Sequence, residues 1–168
     1  SLNAIAALVL GLIIGSFLNV CICRLPERRS IAWPRSSCPR CGKRLAPRDL
    51  VPVLSYLALR GKCRYCSEPI SVQYPIVELA TGLLFAAVVA VHGVSLMSLK
   101  YLVFISLLVI VAGTDINTRL IPNAVTYPGM AIGLIMSLFI PGIFFLQSIV
   151  GLLVCGGVVY LLALASRG

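Results

Sequence analysis

Four cysteines and one aspartate carry most of the chemistry this sequence can offer. Cys38-x2-Cys41 and Cys63-x2-Cys66 form two pairs, with the 21 residues 42–62 between them. A two-residue gap lets both sulfurs of a pair turn onto one ion, and two pairs complete a tetrahedron of the kind that holds zinc. A closed tetrahedron leaves no position for water or substrate, so such a zinc would be structural. The competing assignments for the same residues are two disulfides or free thiols. Gly42, directly after Cys41, would ease the turn of the first pair.

The aspartate stands in "VAGTDINTRLIPN", residues 111–123, at the end of an apolar run. An ionisable group at membrane depth is costly and marks a functional position by default. One carboxylate cannot perform aspartyl-protease chemistry, which needs two held close and sharing a proton. The chain has only five acidic residues, Glu27, Asp49, Glu68, Glu78 and Asp115. Nothing in the spacing of Glu78 pairs it with Asp115. The bland reading of Asp115 is an i,i+4 ion pair with Arg119, and that of Glu78 is a headgroup-level carboxylate near Arg24 or Arg64. Glu27, Asp49 and Glu68 lie among basic residues, as solvated groups or partners of neighbouring arginines.

The elements that must position these groups are membrane helices. The chain is 60% hydrophobic and 11% charged, where a soluble domain carries about 25% charged residues. We expect an all-α polytopic membrane protein with about five transmembrane helices and one small cytoplasmic four-cysteine zinc module. The spans fall near 2–23, 74–91, 94–114, 124–140 and 143–165, each measured against the roughly 20 residues a bilayer requires. The domain boundaries follow: 1–23 for the first helix, 24–73 for the basic module, and 74–168 for helices two to five with Asp115. No cleavable signal peptide is evident, so the first apolar segment is read as a span. Cys21, Cys23 and Cys155 fall in spans and read as small buried hydrophobes. The sequence shows no internal repeat, and Gly11-x3-Gly15 and Gly129-x3-Gly133 match a helix-packing motif that is weak by itself.

Charge sets the orientation. The net charge is +9, and 11 of the 14 Lys and Arg residues lie between Arg24 and Arg64. A basic block beside a span marks the cytoplasmic side, and we read no nucleic-acid partner from it. It also favours anionic lipid headgroups. With that block inside, Asp115, Arg119 and Arg167 also face the cytoplasm, and Lys100 is the exception. A reducing cytosol argues against the two disulfides. Trp33 and six tyrosines are all the chain has for an aromatic belt beyond phenylalanine.

These residues together resemble the bacterial type IV prepilin peptidases, bifunctional leader peptidase/N-methyltransferases of the GxGD aspartyl protease group. "GSFLNVCICRLP" (15–26), "CPRCG" and "CRYC", "ISVQYPIVELATG" (70–82) and "DINTRLIPN" (115–123) match that family in order and spacing. The resemblance implies an intramembrane aspartyl endopeptidase of the inner membrane, serving type IV pilus or type II secretion systems. It would remove the basic leader from prepilins or pseudopilins after a glycine, then N-methylate the new terminus with S-adenosylmethionine. Carried over by position, Asp115 is one catalytic aspartate, and Cys38, Cys41, Cys63 and Cys66 are the zinc ligands. Glu27, Glu68 or Glu78 would meet the basic leader. The family's second aspartate, in a G-x-G-D motif, is expected after Gly168, so the chain alone is expected to be inactive. The alternative is a non-catalytic, membrane-anchored zinc module binding a protein partner or anionic lipid. No residue pattern fixes an oligomeric state or a methyl-donor site.

Overall fold

The computed structural model describes residues 1–139 and 145–165, with the side chains of 159, 160 and 162–165 outside that description. Among the described residues the chain is helical, with two isolated antiparallel bridges and no strand. Helix α1 (Leu2–Arg24) is followed by the polar module, which contains a 3-10 turn (Pro47–Leu50) and the short α2 (Leu54–Ala58). Then come α3 (Gln73–His92), α4 (Leu96–Thr118), α5 (Asn123–Phe139) and α6 (Phe145–Ala165). Three of these, α1, α3 and α4, are long and apolar enough to cross a membrane, while α5 is a shorter apolar helix. At 1.5 Å per residue the 23 residues of α1 extend about 34 Å, enough for a hydrocarbon core. Residues 140, 143 and 144, assigned above to spans, and the cytoplasmic end at Arg167 lie outside the described residues.

Each helix end has a local cause. Gly93, at φ 64°, closes α3 in a conformation that costs a glycine little. Two residues later the Ser95 hydroxyl accepts the Ser98 N–H at 3.2 Å and caps α4. Arg119 ends α4 in the left-handed region, its N–H returning to the Asp115 carbonyl at 2.8 Å. Pro128 lies inside α5.

The chain forms two compact units, Ser1–Thr126 and Tyr127–Gly168. In the first, α1 and α3 run antiparallel at close range. A Cβ built on Gly11 would stand 2.7 Å from the Gly82 Cα, and one on Gly15 would stand 2.8 Å from the Glu78 Cα. Both are closer than real atoms approach, so the Gly11-x3-Gly15 motif is a true packing face here. A Cβ on Gly133, in the second such motif, meets no atom within 4 Å. The same residue pattern therefore does different work in the two places.

Helix α4 packs on the α1–α3 pair. Leu18, Cys21, Ile110 and Val125 form one buried cluster near the end of α1, and Ala7, Phe85 and Val89 form another toward its start. The opposite face of α1 exposes Leu2, Ile5, Val9, Ile13 and Phe17. Such an apolar exterior is unfavourable in water and suited to lipid. Cys21 is buried as expected, but Cys23 and Cys155 are exposed. Cys23 lies past the packed face of α1, where its sulfur is 3.8 Å from the Tyr74 hydroxyl.

Candidate functional site

The four cysteines converge. Their sulfurs all lie within 4.8 Å of one another, and Cys38 Sγ is 3.8 Å from Cys66 Sγ. A zinc–sulfur bond of about 2.3 Å gives a tetrahedral edge of about 3.8 Å, so the spacing fits zinc. No cysteine is in a disulfide.

The thiols also perturb one another. The Cys38 thiol is lowered to about 7 by the Cys41 backbone N–H, joined by the Arg40 N–H and the Cys63 and Cys41 thiols, with burial opposing. Cys66 is pushed the other way, to about 12; a backbone bond from Glu68 lowers it, but burial and the three neighbouring thiols outweigh that bond. Four sulfurs this close cannot all ionise without a cation among them. A dication removes that repulsion, which is why the donor set suits a metal.

Each pair is carried on a small backbone knuckle, and the two knuckles repeat with an offset of 25 residues. Cys38 N donates to Lys43 O at 3.0 Å, as Cys63 N does to Glu68 O at 2.8 Å. Gly42 N returns to Cys38 O, as Ser67 N does to Cys63 O, both at 2.9 Å. Leu45 N reaches Ser36 O as Ile70 N reaches Gly61 O. The bridges Ser37–Arg44 and Lys62–Pro69 obey the same offset. Gly42 and Ser67 both sit at positive φ, 69° and 59°. The backbone repeats although few side chains between the cysteines do, which hides the repeat from residue comparison. Side chains then lock the knuckles together: Arg40 pairs with Glu68 at 3.2 Å, and the Lys43 ammonium lies 5.5 Å from the Tyr65 ring centre. Arg64 Nε binds Asp49 at 2.8 Å, which ties the second knuckle to the 3-10 turn.

Asp115 occupies the last turn of α4, exposed, three residues before the helix ends at Thr118. The helix does run through Thr118, yet Asp115 and Arg119 form no ion pair among the described residues. The reason is the left-handed backbone at Arg119, φ 53°, which takes its side chain off the helical face that an i,i+4 pair needs.

The surroundings of Asp115 contain residues that spacing alone did not single out. Asn117 Nδ2 donates to Gln73 Oε1 at 3.0 Å, joining α4 to the start of α3. Asn19, fully buried in α1, donates from Nδ2 to the Tyr74 carbonyl at 3.1 Å. Thr114, also fully buried, bonds back to the Ile110 carbonyl at 2.9 Å. Their signal was available: each is a polar residue near the end of an apolar run. Asn19 and Asn117 bond across to α3, whereas Thr114 bonds within its own helix.

Glu78 is buried in α3 and does not meet Asp115. Its Oε2 accepts the backbone N–H of Val53 at 2.7 Å. Val53 is a β-branched residue at φ 58°, a strained conformation held by its surroundings. Glu78 thus ties the entry of α2 to the α1–α3 packing face. It pairs with neither Arg24 nor Arg64. Glu27 and Glu68 are paired with Arg29 and Arg40, so none of the three glutamates is free of a partner.

Comparisons with known proteins agree with this layout. The model of the bacterial peptidase A24 N-terminal domain matches residues 9–92, half of the chain. The chain belongs to the type IV prepilin peptidase family. The type IV leader peptidase family model covers residues 102–167. The prepilin leader peptidase/N-methyltransferase of Myxococcus xanthus is 49% identical over 136 residues, which is 81% of this chain and 41% of that protein. The protein of the same name from Bacillus subtilis is 50% identical over 117 residues, 70% of this chain and 47% of its own length. That of Klebsiella pneumoniae is 42% identical over 149 residues, 84% of this chain and 64% of its own length. The chain thus spans about half the length of the first two of these relatives. No solved structure matches it.

Proposed function

We propose that this chain supplies one catalytic aspartate and the zinc-bearing module of an inner-membrane prepilin peptidase. The observation that carries the reading is Asp115. Among the described residues four of the five acids are engaged, three by arginines and Glu78 by Val53, while Asp115 stands exposed with no ion pair at the end of a membrane-capable helix. A prepilin or pseudopilin has a basic leader and an apolar helix. The apolar helix would lie in the bilayer beside α1, α3 and α4, which brings the scissile bond to the rim at Asp115. The basic module supports a cytoplasmic position for that rim.

Hydrolysis would need a second carboxylate to share a proton with Asp115, one group activating water and the other donating to the scissile carbonyl. The other four acids of residues 1–168 are each bonded elsewhere, so we expect the second carboxylate from other polypeptide and no cleavage by this chain alone. Cys38, Cys41, Cys63 and Cys66 would hold a structural zinc, which supplies folding energy and no open coordination position. Methylation rests on the relatives' names alone. Lipid surrounds the spans.

The test uses the full-length protein and a prepilin substrate. Asp115→Asn should lower leader removal by about 10²- to 10⁴-fold while the protein still inserts in the membrane and keeps its zinc. Cleavage by the Asn variant at the parent rate would overturn the assignment.

A further inference from the structure

The loop that follows α1 is built rather than slack. Arg24, the last residue of α1, donates from Nη1 to the Ser30 carbonyl at 3.0 Å and from Nη2 to the Pro34 carbonyl at 2.8 Å. The Ser30 hydroxyl accepts the N–H groups of Ala32 and Trp33 at 3.3 and 3.2 Å. Arg28 N and Arg29 N return to the carbonyls of Leu25 and Arg24, both at 3.0 Å. This internal bonding satisfies backbone that would otherwise need water.

What the loop presents is unusual for a surface. Trp33, the chain's only tryptophan, is 64% exposed and Ile31 is 40% exposed. Arg28, Arg29 and Arg35 flank them, all exposed. Arg29 is partly neutralised by Glu27 at 3.1 Å, whereas Arg28 and Arg35 make no ion pair among the described residues. The loop begins where a membrane-capable helix ends, so it lies at headgroup level. An indole beside arginines at that level matches the chemistry of an anionic bilayer surface, apolar below and phosphate-bearing above. A basic peptide, the other partner this protein would meet, is disfavoured here by like charge.

We propose that the 25–35 loop is an anionic-phospholipid clamp. Ile31 and Trp33 enter the interfacial layer, and Arg28 and Arg35 bind lipid phosphate through the guanidinium fork. The proposal rests on α1 spanning the membrane and is independent of any catalytic step.

Trp33 is its own reporter, since the chain has no other tryptophan. The chain is reconstituted in vesicles of mixed phosphatidylcholine and phosphatidylglycerol. In parallel samples the bromine quencher is placed on the acyl chains of one lipid or the other. Brominated phosphatidylglycerol should quench Trp33 more strongly, with local enrichment up to about fivefold for each arginine. High salt should reduce the preference. Arg28→Gln/Arg35→Gln should bring the two lipids level, with zinc content unchanged as the folding control. Equal quenching by both lipids in the parent chain would remove the headgroup assignment. Quenching by neither, with Trp33 open to an aqueous quencher, would overturn the clamp altogether. Extraction of the chain by alkaline carbonate would instead show that the membrane reading had failed.

Discussion

The four-cysteine centre and the rim at Asp115 differ in the sequence distance over which they are assembled. The centre closes within residues 36–70, from two knuckles whose backbone bonds reach across a few residues each. The rim draws Asn19 from α1, Gln73 from α3 and Asn117 from α4, and its carboxylate has no ion-pair partner among the described residues. One is a local device that carries all its ligands. The other is a junction whose geometry depends on helix packing. If the centre holds zinc, its removal should therefore damage one region and spare the other.

The largest expected effect is on the centre. Structural zinc contributes on the order of 10 kcal/mol to modules of this kind. Chelation, or Cys38→Ser with Cys63→Ser, should open residues 36–70 to limited proteolysis. Helical circular dichroism should change little, because α1, α3 and α4 pack through their own apolar and glycine contacts. If the helices came apart with the metal, the division between the two regions would be wrong.

On the rim, Asp115→Asn in the full-length protein should lower leader removal by about 10²- to 10⁴-fold, the range for loss of a proton-transferring group. Zinc content and membrane insertion should not move. A matching loss of zinc would mean that Asp115 acts through the module, and the comparison would fail from the other side.

How much could be read beforehand follows the same division. The cysteine spacing announces its geometry, because the ligand set is local. The spans were legible to within a few residues for α1, α3 and α4, since long apolar runs have few other uses. What stayed hidden depends on tertiary placement or on backbone conformation. The Asp115–Arg119 pair follows from an i,i+4 rule, but the left-handed residue at position 119 cancels it. Glu78 looked like a surface carboxylate. Its partner, the N–H of Val53, lies 25 residues earlier on a strained backbone that spacing cannot foretell. The pairing of Gly11 and Gly15 with Gly82 and Glu78 needs the antiparallel crossing before it means anything.

Glu78 ties the entry of α2, which follows the first knuckle, to helix α3, so its replacement sharpens the comparison. Glu78→Ala removes the acceptor for Val53 N–H and should cost about 1–3 kcal/mol. Glu78→Gln keeps an oxygen there and should cost less. Hydrogen exchange at residues 51–58 should rise more in the Ala variant than in the Gln variant, with zinc still bound in both. Loss of zinc from the Ala variant would show that the centre is not self-contained.

The smallest effect probes whether the local code of the centre extends to single residues. Gly42 and Ser67 hold equivalent places in the two knuckles, both at positive φ. A left-handed non-glycine residue costs about 1–2 kcal/mol, offset in part by the greater entropy that glycine loses on folding. Ser67→Gly should therefore stabilise the module slightly, by about 0.5 kcal/mol, while Gly42→Ala should destabilise it by about 1 kcal/mol. A Cβ on Gly42 meets no atom within 4 Å, so crowding cannot explain a loss there and the backbone conformation must. Competition for zinc against a graded chelator reads both changes on one scale. Opposite signs would show the two knuckles as one device encoded twice, the second half carrying the less suitable residue. Equal signs would mean that contacts between the knuckles, such as Arg40 with Glu68, decide the stability instead.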